Sequence, residues 1–263
     1  MKDTEAPTVV DPLVSIQEVT VRFDSIVALD KVSFDIPREG IYGLIGPNGA
    51  GKTTLFNCLS RVVPYQAGDI LMDGKSIGKL SPHVIPGIGM ARTFQNLAMF
   101  GSMSVIDNIL VGAHSRLTSG IIDNALRLPN VHREEERIRA EAEEIAEYLE
   151  LGRVLERNVQ DLPFGTQKRV ELARALIQKP RLLMLDEPAA GLTHSEVGDL
   201  GDLITDIRNQ YNLAVLLVEH HMGLVMKISN RLAVLNFGKR IGEGNPEAVR
   251  KMPAVIAAYL GAS

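Results

Sequence analysis

Gly46-Pro47-Asn48-Gly49-Ala50-Gly51-Lys52-Thr53, set directly behind the apolar run Ile41–Ile45, is the stretch that fixes the reading of this chain. It fits the pattern G-x-x-x-x-G-K-[ST]. Glycines let the backbone curl until successive N–H groups point inward at phosphate oxygens. A helix expected to open near Lys52 adds its positive N-terminal end. Lys52 supplies a point charge to the β- and γ-phosphates, the Thr53 hydroxyl is suited to ligate Mg²⁺, and Thr54 is placed for another phosphate contact. Gly46 through Thr54 are therefore the expected nucleotide cradle. The order strand, loop, helix is what separates this mechanism from an ordinary glycine-rich turn.

Outward from the cradle, Leu182–Leu185, Leu213–Val218 and Leu232–Leu235 repeat the short, continuous apolar character of Ile41–Ile45. Such runs suit strands buried on both faces of a parallel sheet. The helical stretches between them point to a layered α/β core. The run Arg181–Leu185 ends in Asp186-Glu187, and strand ends in such sheets face the ligand crevice. Asp186 is suited to hold Mg²⁺, directly or through water. Glu187 is suited to act as general base on the attacking water. His220 follows another buried run and can reach a γ-phosphate; His221, beside it, competes for that role.

The flanks have other characters. Val19, Val21 and Phe23, and then Val32, Phe34 and Ile36, alternate with other residues in the period of half-buried strands. Asp73-Gly74 sits at the centre of 70–77, a strong hairpin signal. A small antiparallel subdomain is predicted there. From Val131 to Leu151 the chain is rich in Glu, Arg and Ala, and Ile138, Ala142, Ile145 and Leu149 share one helical face. An amphipathic helix of its own subdomain is predicted.

Composition narrows the function classes. Of 263 residues, 45% are apolar, enough for a full core, and 28 basic against 32 acidic residues leave a net charge of −4. That balance argues against a nucleic-acid partner. Cys58 is the single cysteine, so no internal disulfide is possible, and it reads as a buried thiol. Residues 1–12 are polar and lack the apolar stretch of a signal peptide; a flexible tail and a cytoplasmic chain are expected. No run approaches the about 18 apolar residues of a membrane span, so any membrane role is expected to come through partners.

Taken together, these segments resemble ABC-transporter ATPases in order and spacing, from about Leu13 to Gly261. Asp161-Leu162-Pro163-Phe164-Gly165-Thr166-Gln167 looks like the family's signature region, and Arg92-Thr93-Phe94-Gln95 resembles its Q-loop. By that resemblance Gln95 contacts Mg²⁺ and ATP, Phe23 stacks on adenine, and Pro188-Ala189-Ala190-Gly191-Leu192 crosses a dimer interface. Val218-Glu219-His220 matches the switch-histidine strand end, which ranks His220 above His221. Pro163, Phe164, Gly165, Thr166 and Gln167 address the ATP of the opposite subunit. The signature departs from L-S-G-G-Q: its serine, its first glycine and the glutamine after the second glycine are replaced, with Thr166 or nearby N–H groups expected to compensate.

The resemblance implies a P-loop NTPase core with a mostly parallel sheet, an antiparallel β subdomain and an inserted helical subdomain at about 96–165. Residues 13–263 form a single ABC ATPase domain on this reading. ATP and Mg²⁺ are the implied cofactors. The implied partners are two integral-membrane permease subunits and a second ATPase, same or paralogous, in a head-to-tail dimer; a periplasmic or surface solute-binding protein acts indirectly. The expected place is the cytoplasmic face of the inner membrane of a bacterium or archaeon. The run Ala91–Asn96, the segment Met103–Asn108, the lengthened helical section after His114, Leu185–Leu192 and the tail Pro246–Gly261 resemble branched-chain amino-acid importers. Related groups take urea, short amides or aromatic acids. Lipopolysaccharide export and soluble assembly are the alternative uses of the same ATPase.

Overall fold

The computed structural model describes residues 11–93, 99–117 and 129–260. Most of the expected tail, as well as Phe94 and Gln95, lies outside the described residues. The chain divides into two compact units, one of residues 1–92 with 181–263 and one of 93–180.

The first unit holds two sheets. Strands β1 (Val14–Phe23), β2 (Ile26–Ile36), β4 (Ala67–Met72) and β5 (Lys75–Ser76) form an antiparallel sheet in the order β2-β1-β4-β5. The β4–β5 turn runs through Asp73 at φ 49° and Gly74 at φ 71°, the left-handed pair that a two-residue hairpin requires. The second sheet joins β3 (Gly40–Ile45), β6 (Met90–Arg92), β7 (Leu182–Asp186), β8 (Ala214–Val218), β9 (Arg231–Asn236) and β10 (Lys239–Gly244) in the order β10-β9-β3-β8-β7-β6. Only β10 runs antiparallel to its neighbour. Every residue of β7 and β8 is buried, which accounts for their uninterrupted apolar sequence.

One core joins the inner faces of both sheets to helix α1 (Lys52–Leu59). Ile16, Val21, Leu29, Leu55, Phe56, Leu182, Leu216 and Leu235 all belong to it. Cys58 is fully buried there, and burial pushes its thiol up to about 12. Tyr42 stacks on Phe34 with ring centroids 5.3 Å apart and donates its hydroxyl to Glu243 at 2.9 Å, so its buried polar end is satisfied.

The second unit is helical. It contains α2 (Val105–Gly112), α3 (Pro129–Tyr148) and α4 (Phe164–Leu176). Ile138, Ala142, Ile145 and Leu149 are buried, as their helical spacing predicts. On α3, Arg137 pairs with Glu141 and Arg139 with Glu143, both one turn further on. Glu141 also meets Arg116 at 2.7 Å and Lys179 at 3.0 Å. The Arg116 guanidinium, with help from Lys179, holds the Glu141 carboxyl at about 2.

The remaining helices return to the first unit: α5 (His194–Tyr211), α6 (Met222–Ile228), α7 (Pro246–Val249) and α8 (Pro253–Leu260). A capping box of Thr193 and Glu196 starts α5, and Asn212 in the left-handed region at φ 47° ends it. No helix among the described residues is long and apolar enough to cross a membrane.

Candidate active site

Parallel register decides which residues meet. Leu44 of β3 lies opposite Val218 of β8, and Val218 lies opposite Asp186 of β7. The ends of these three adjacent strands therefore share one edge. The loop 46–51 leaves that edge from β3, Glu187 from β7, and His220 from β8.

The loop is shaped by glycine. Gly46 sits at φ 150°, and a Cβ there would lie 2.2 Å from the Leu235 carbonyl oxygen. Gly51 sits at φ 102° as the residue that opens α1, and a Cβ there would lie 2.7 Å from the Ala28 carbonyl oxygen. Any side chain at either position forces the cradle off the adjoining backbone. Pro47, Asn48, Gly49 and Ala50 complete the curl, closed by Ala50 N–H donating to the Pro47 carbonyl at 3.1 Å. Thr53 is exposed and Thr54 half-buried on the first turn of α1.

Lys52 is 7% exposed and donates to the carbonyls of Gly46 at 2.7 Å and Pro47 at 3.0 Å. Burial pushes its ammonium below the ordinary lysine range, while the charges of Glu187 and Asp186 act to raise it. The lysine thus lies in the field of the acid pair, a cation beside two anions at the mouth of a phosphate cradle.

Asp186 is 3% exposed and accepts from Arg92 Nη2 at 2.8 Å. Arg92 also donates to Asn57 of α1 at 2.8 Å and to Ser60, just past its end, at 3.2 Å, which ties β6, β7 and α1 together. Glu187 adopts φ 49°, a left-handed backbone unusual for a residue with a side chain. Its carboxylate oxygen lies 3.7 Å from His220 Nδ1. His221 is turned to other work: it caps α6, its Nδ1 accepting the Leu224 N–H at 3.3 Å. Phe23 closes β1 at the tip of the first hairpin, pairs with Ile26 and is 48% exposed, a free face for stacking.

The edge thus gathers Gly46 to Thr54, Asp186, Glu187 and His220 within the first unit, while Phe23 stands at the hairpin tip of the other sheet. Gln95 lies outside the described residues. Pro163 to Gln167 belong to the helical unit: Pro163 precedes α4, and no side chain caps its N-terminus. Phe164 is 43% exposed, and Gln167 folds back to donate to the Leu162 carbonyl at 2.9 Å. Sequence reasoning names Arg92 and Glu219 only as members of motifs and gives neither a role, yet the structure makes both prominent. Each is a charged residue at an end of an apolar strand, and that was the available signal.

Comparison with known proteins agrees in scope with this architecture. The family described as ABC transporter matches residues 29–190, and that described as branched-chain amino acid ATP-binding cassette transporter matches 239–263. The chain is 40% identical over 250 residues to the high-affinity branched-chain amino acid transport ATP-binding protein BraF of Pseudomonas aeruginosa, covering 95% of this chain and 98% of that one. The same identity and coverage relate it to LivG of Escherichia coli strain K12, which bears the same description. Among solved structures it resembles the ADP conformation of MJ1267, an ATP-binding cassette of an ABC transporter, with TM-score 0.81 and 26% identity over 95% of this chain and 98% of that one.

Proposed function

The chain belongs to the ABC transporter family, and from that premise we propose that it is the ATP-driven motor of an importer for branched-chain amino acids or related small polar or amide solutes. It is an ATPase of ABC type that binds nucleotide. The observation that carries the reading is the single sheet edge where the cradle, the acid pair and His220 come together beside a buried lysine. The importer assignment draws on the match of 239–263 and on the relatives' named roles.

In this reading Gly46 to Thr54 hold the phosphates, Lys52 neutralises the β- and γ-oxygens, and Phe23 stacks on adenine. Glu187 takes a proton from the attacking water. His220 holds the γ-phosphate end against Glu187. Thr53 and Asp186 offer the hard oxygen donors that suit Mg²⁺, with Gln95 as a third. Held by these residues, Mg²⁺ would supply positive charge against the negative charge that develops on the phosphate. Pro163 to Gln167 present an uncapped helix start to the ATP of a second cassette, the same chain or a paralogue, arranged head to tail. Residues 13–263 act as one ATPase domain. The motor serves two permease subunits at the cytoplasmic face of the membrane, and a solute-binding protein acts through them.

The test is capture of the tagged chain from detergent-solubilised membranes of its own host, with partners identified by mass spectrometry. Two polytopic permeases and a second cassette are expected. Recovery of soluble partners alone overturns the importer reading and leaves the ATPase chemistry standing.

A further inference from the structure

Glu219 directly follows β8 and is 1% exposed, and no cation among the described residues pairs with it. Its carboxylate is spent on backbone. One oxygen accepts the Ala189 N–H at 2.7 Å; the other accepts the N–H groups of His220 at 3.0 Å and His221 at 3.1 Å. Ala189 lies two residues beyond Glu187, in the loop 187–192, while His220 lies in the loop that follows β8. A single buried side chain therefore pins two loops that approach each other from neighbouring strands.

Those loops carry the groups that face the reacting phosphate. Backbone hydrogen bonds help to hold Glu187 in its left-handed conformation. Its own N–H donates to the Val218 carbonyl at 2.9 Å, and its carbonyl accepts the Ala190 N–H at 3.1 Å. A conformation of this kind persists only where the surroundings over-determine it, and the Ala189–Glu219 bond lies inside that turn. On the other side, Glu219 fixes the backbone from which His220 turns its ring toward Glu187 at 3.7 Å. Alongside the two loops lies an open pocket of about 330 Å³, lined by Ala189, Gly191, His194, Glu219 and His220 among others. A carboxylate with two oxygens and a two-carbon reach meets both loops from this place. A serine or threonine at 219 has one oxygen and reaches only its neighbours.

We infer that Glu219 is a positioning residue for hydrolysis, locking the loop of Glu187 and the loop of His220 into one unit so that base and switch histidine keep a fixed separation. It touches neither substrate nor metal and acts through the two residues it orients. The inference rests on the roles proposed above for Glu187 and His220. It is distinct from phosphate binding, since the cradle 46–54 makes none of the three bonds.

The experiment compares wild type with Glu219→Gln in the full-length chain, measuring kcat, KM for ATP, nucleotide affinity and the melting temperature without nucleotide. In Glu219→Gln one acceptor becomes an amide NH₂ facing an N–H donor, so one loop is released while volume is kept. The expected result is a fall in kcat of about 10- to 100-fold, the scale on which small misplacements of reacting groups act. KM and affinity for ATP stay within about twofold of wild type, as expected when ground-state binding is untouched. Unchanged kcat overturns the inference. So does a loss of ATP affinity in step with kcat, which is what a general structural role produces. Should Glu219→Gln not fold, Glu219→Asp takes its place: it keeps the charge beside His220 and His221 but falls short of Ala189. An unreduced kcat in Glu219→Asp overturns the inference equally. Glu187→Gln run in parallel separates the two layers. If it retains turnover, the assignment of the base fails first; if it loses turnover while Glu219→Gln keeps it, this inference alone fails.

Discussion

Among the described α-helices, α1 and α4 start without a side-chain cap, while α2, α5, α6 and α7 have one. Ser104 caps α2, Thr193 with Glu196 caps α5, His221 caps α6 and Asn245 caps α7. Gly51 opens α1 and Pro163 opens α4 without any side-chain acceptor. Neither has an acidic residue in its first turn. An uncapped start keeps N–H groups and the positive end of the dipole for an outside anion. The two differ in what surrounds them. At α1 the backbone is curled by glycines and Lys52 is buried among the loop carbonyls. At α4 there is an exposed Phe164, and the buried Lys168 ammonium lies 5.5 Å from the centre of its ring. The first is a complete cradle with a charge built in; the second offers mainly backbone dipoles. A helix end is worth about 0.3–1 kcal/mol to a nearby charge, whereas losing one preorganised donor in a water-excluded site costs about 10²–10³ in rate. The ranking of expected effects follows from that contrast.

The largest effect belongs to Lys52→Ala, which removes the charge from the complete cradle. ATP turnover is expected to fall by at least about a hundredfold, measured as phosphate release. Turnover within a few-fold of wild type breaks the contrast outright. Next comes Glu187→Gln, expected to bind ATP as wild type does yet stop hydrolysis; size-exclusion chromatography with ATP should show a trapped dimer. Gly165→Asp probes the second helix start. A carboxylate in the first turn favours the helix but repels a phosphate, so melting temperature should hold or rise while turnover drops about tenfold. If turnover holds as well, the α4 start does not address phosphate.

Phe23→Ala is expected to weaken nucleotide affinity by about 1–3 kcal/mol, read by titration, with little change in melting because the ring is half exposed. The smallest effect lies away from both helix starts. Glu141 has its folded pKa lowered from 4.5 to about 2, chiefly by Arg116. A lowered carboxylate stabilises the fold above the unfolded pKa, and that contribution is lost as pH falls through the folded one. Glu141→Gln should therefore cost about 1–2 kcal/mol near neutral pH. The gap to wild type should close between 4.5 and about 2. A gap that ignores pH shows the loss to be one of packing.

The two helix starts also differ in how readable they were. Gly46 to Thr53 spell out their task because glycine spacing and lysine position are local requirements, met within eight residues. The α4 start carries no such local code: Pro163, Phe164 and Thr166 depart from the family pattern, and only resemblance marked them. The same holds for His220 and His221. Adjacent in sequence and alike in chemistry, they are ranked by resemblance alone until one caps α6 and the other turns toward Glu187.

The sequence by itself determined the strands and the cradle. Ile41–Ile45, Leu182–Leu185, Leu213–Val218 and Leu232–Leu235 had to be buried on both faces, Asp73-Gly74 had to turn, and the glycines of 46–51 had to curl, because each follows from local propensity and solvent avoidance. Tertiary structure alone decided the register that sets Leu44, Val218 and Asp186 side by side. It also decided that Arg92 faces Asp186, 94 positions away, and that Glu219 faces Ala189, 30 positions away. The physical reason is range: propensity and periodicity act over a few residues, while a buried charge finds its partners only after the sheet has brought distant strand ends together.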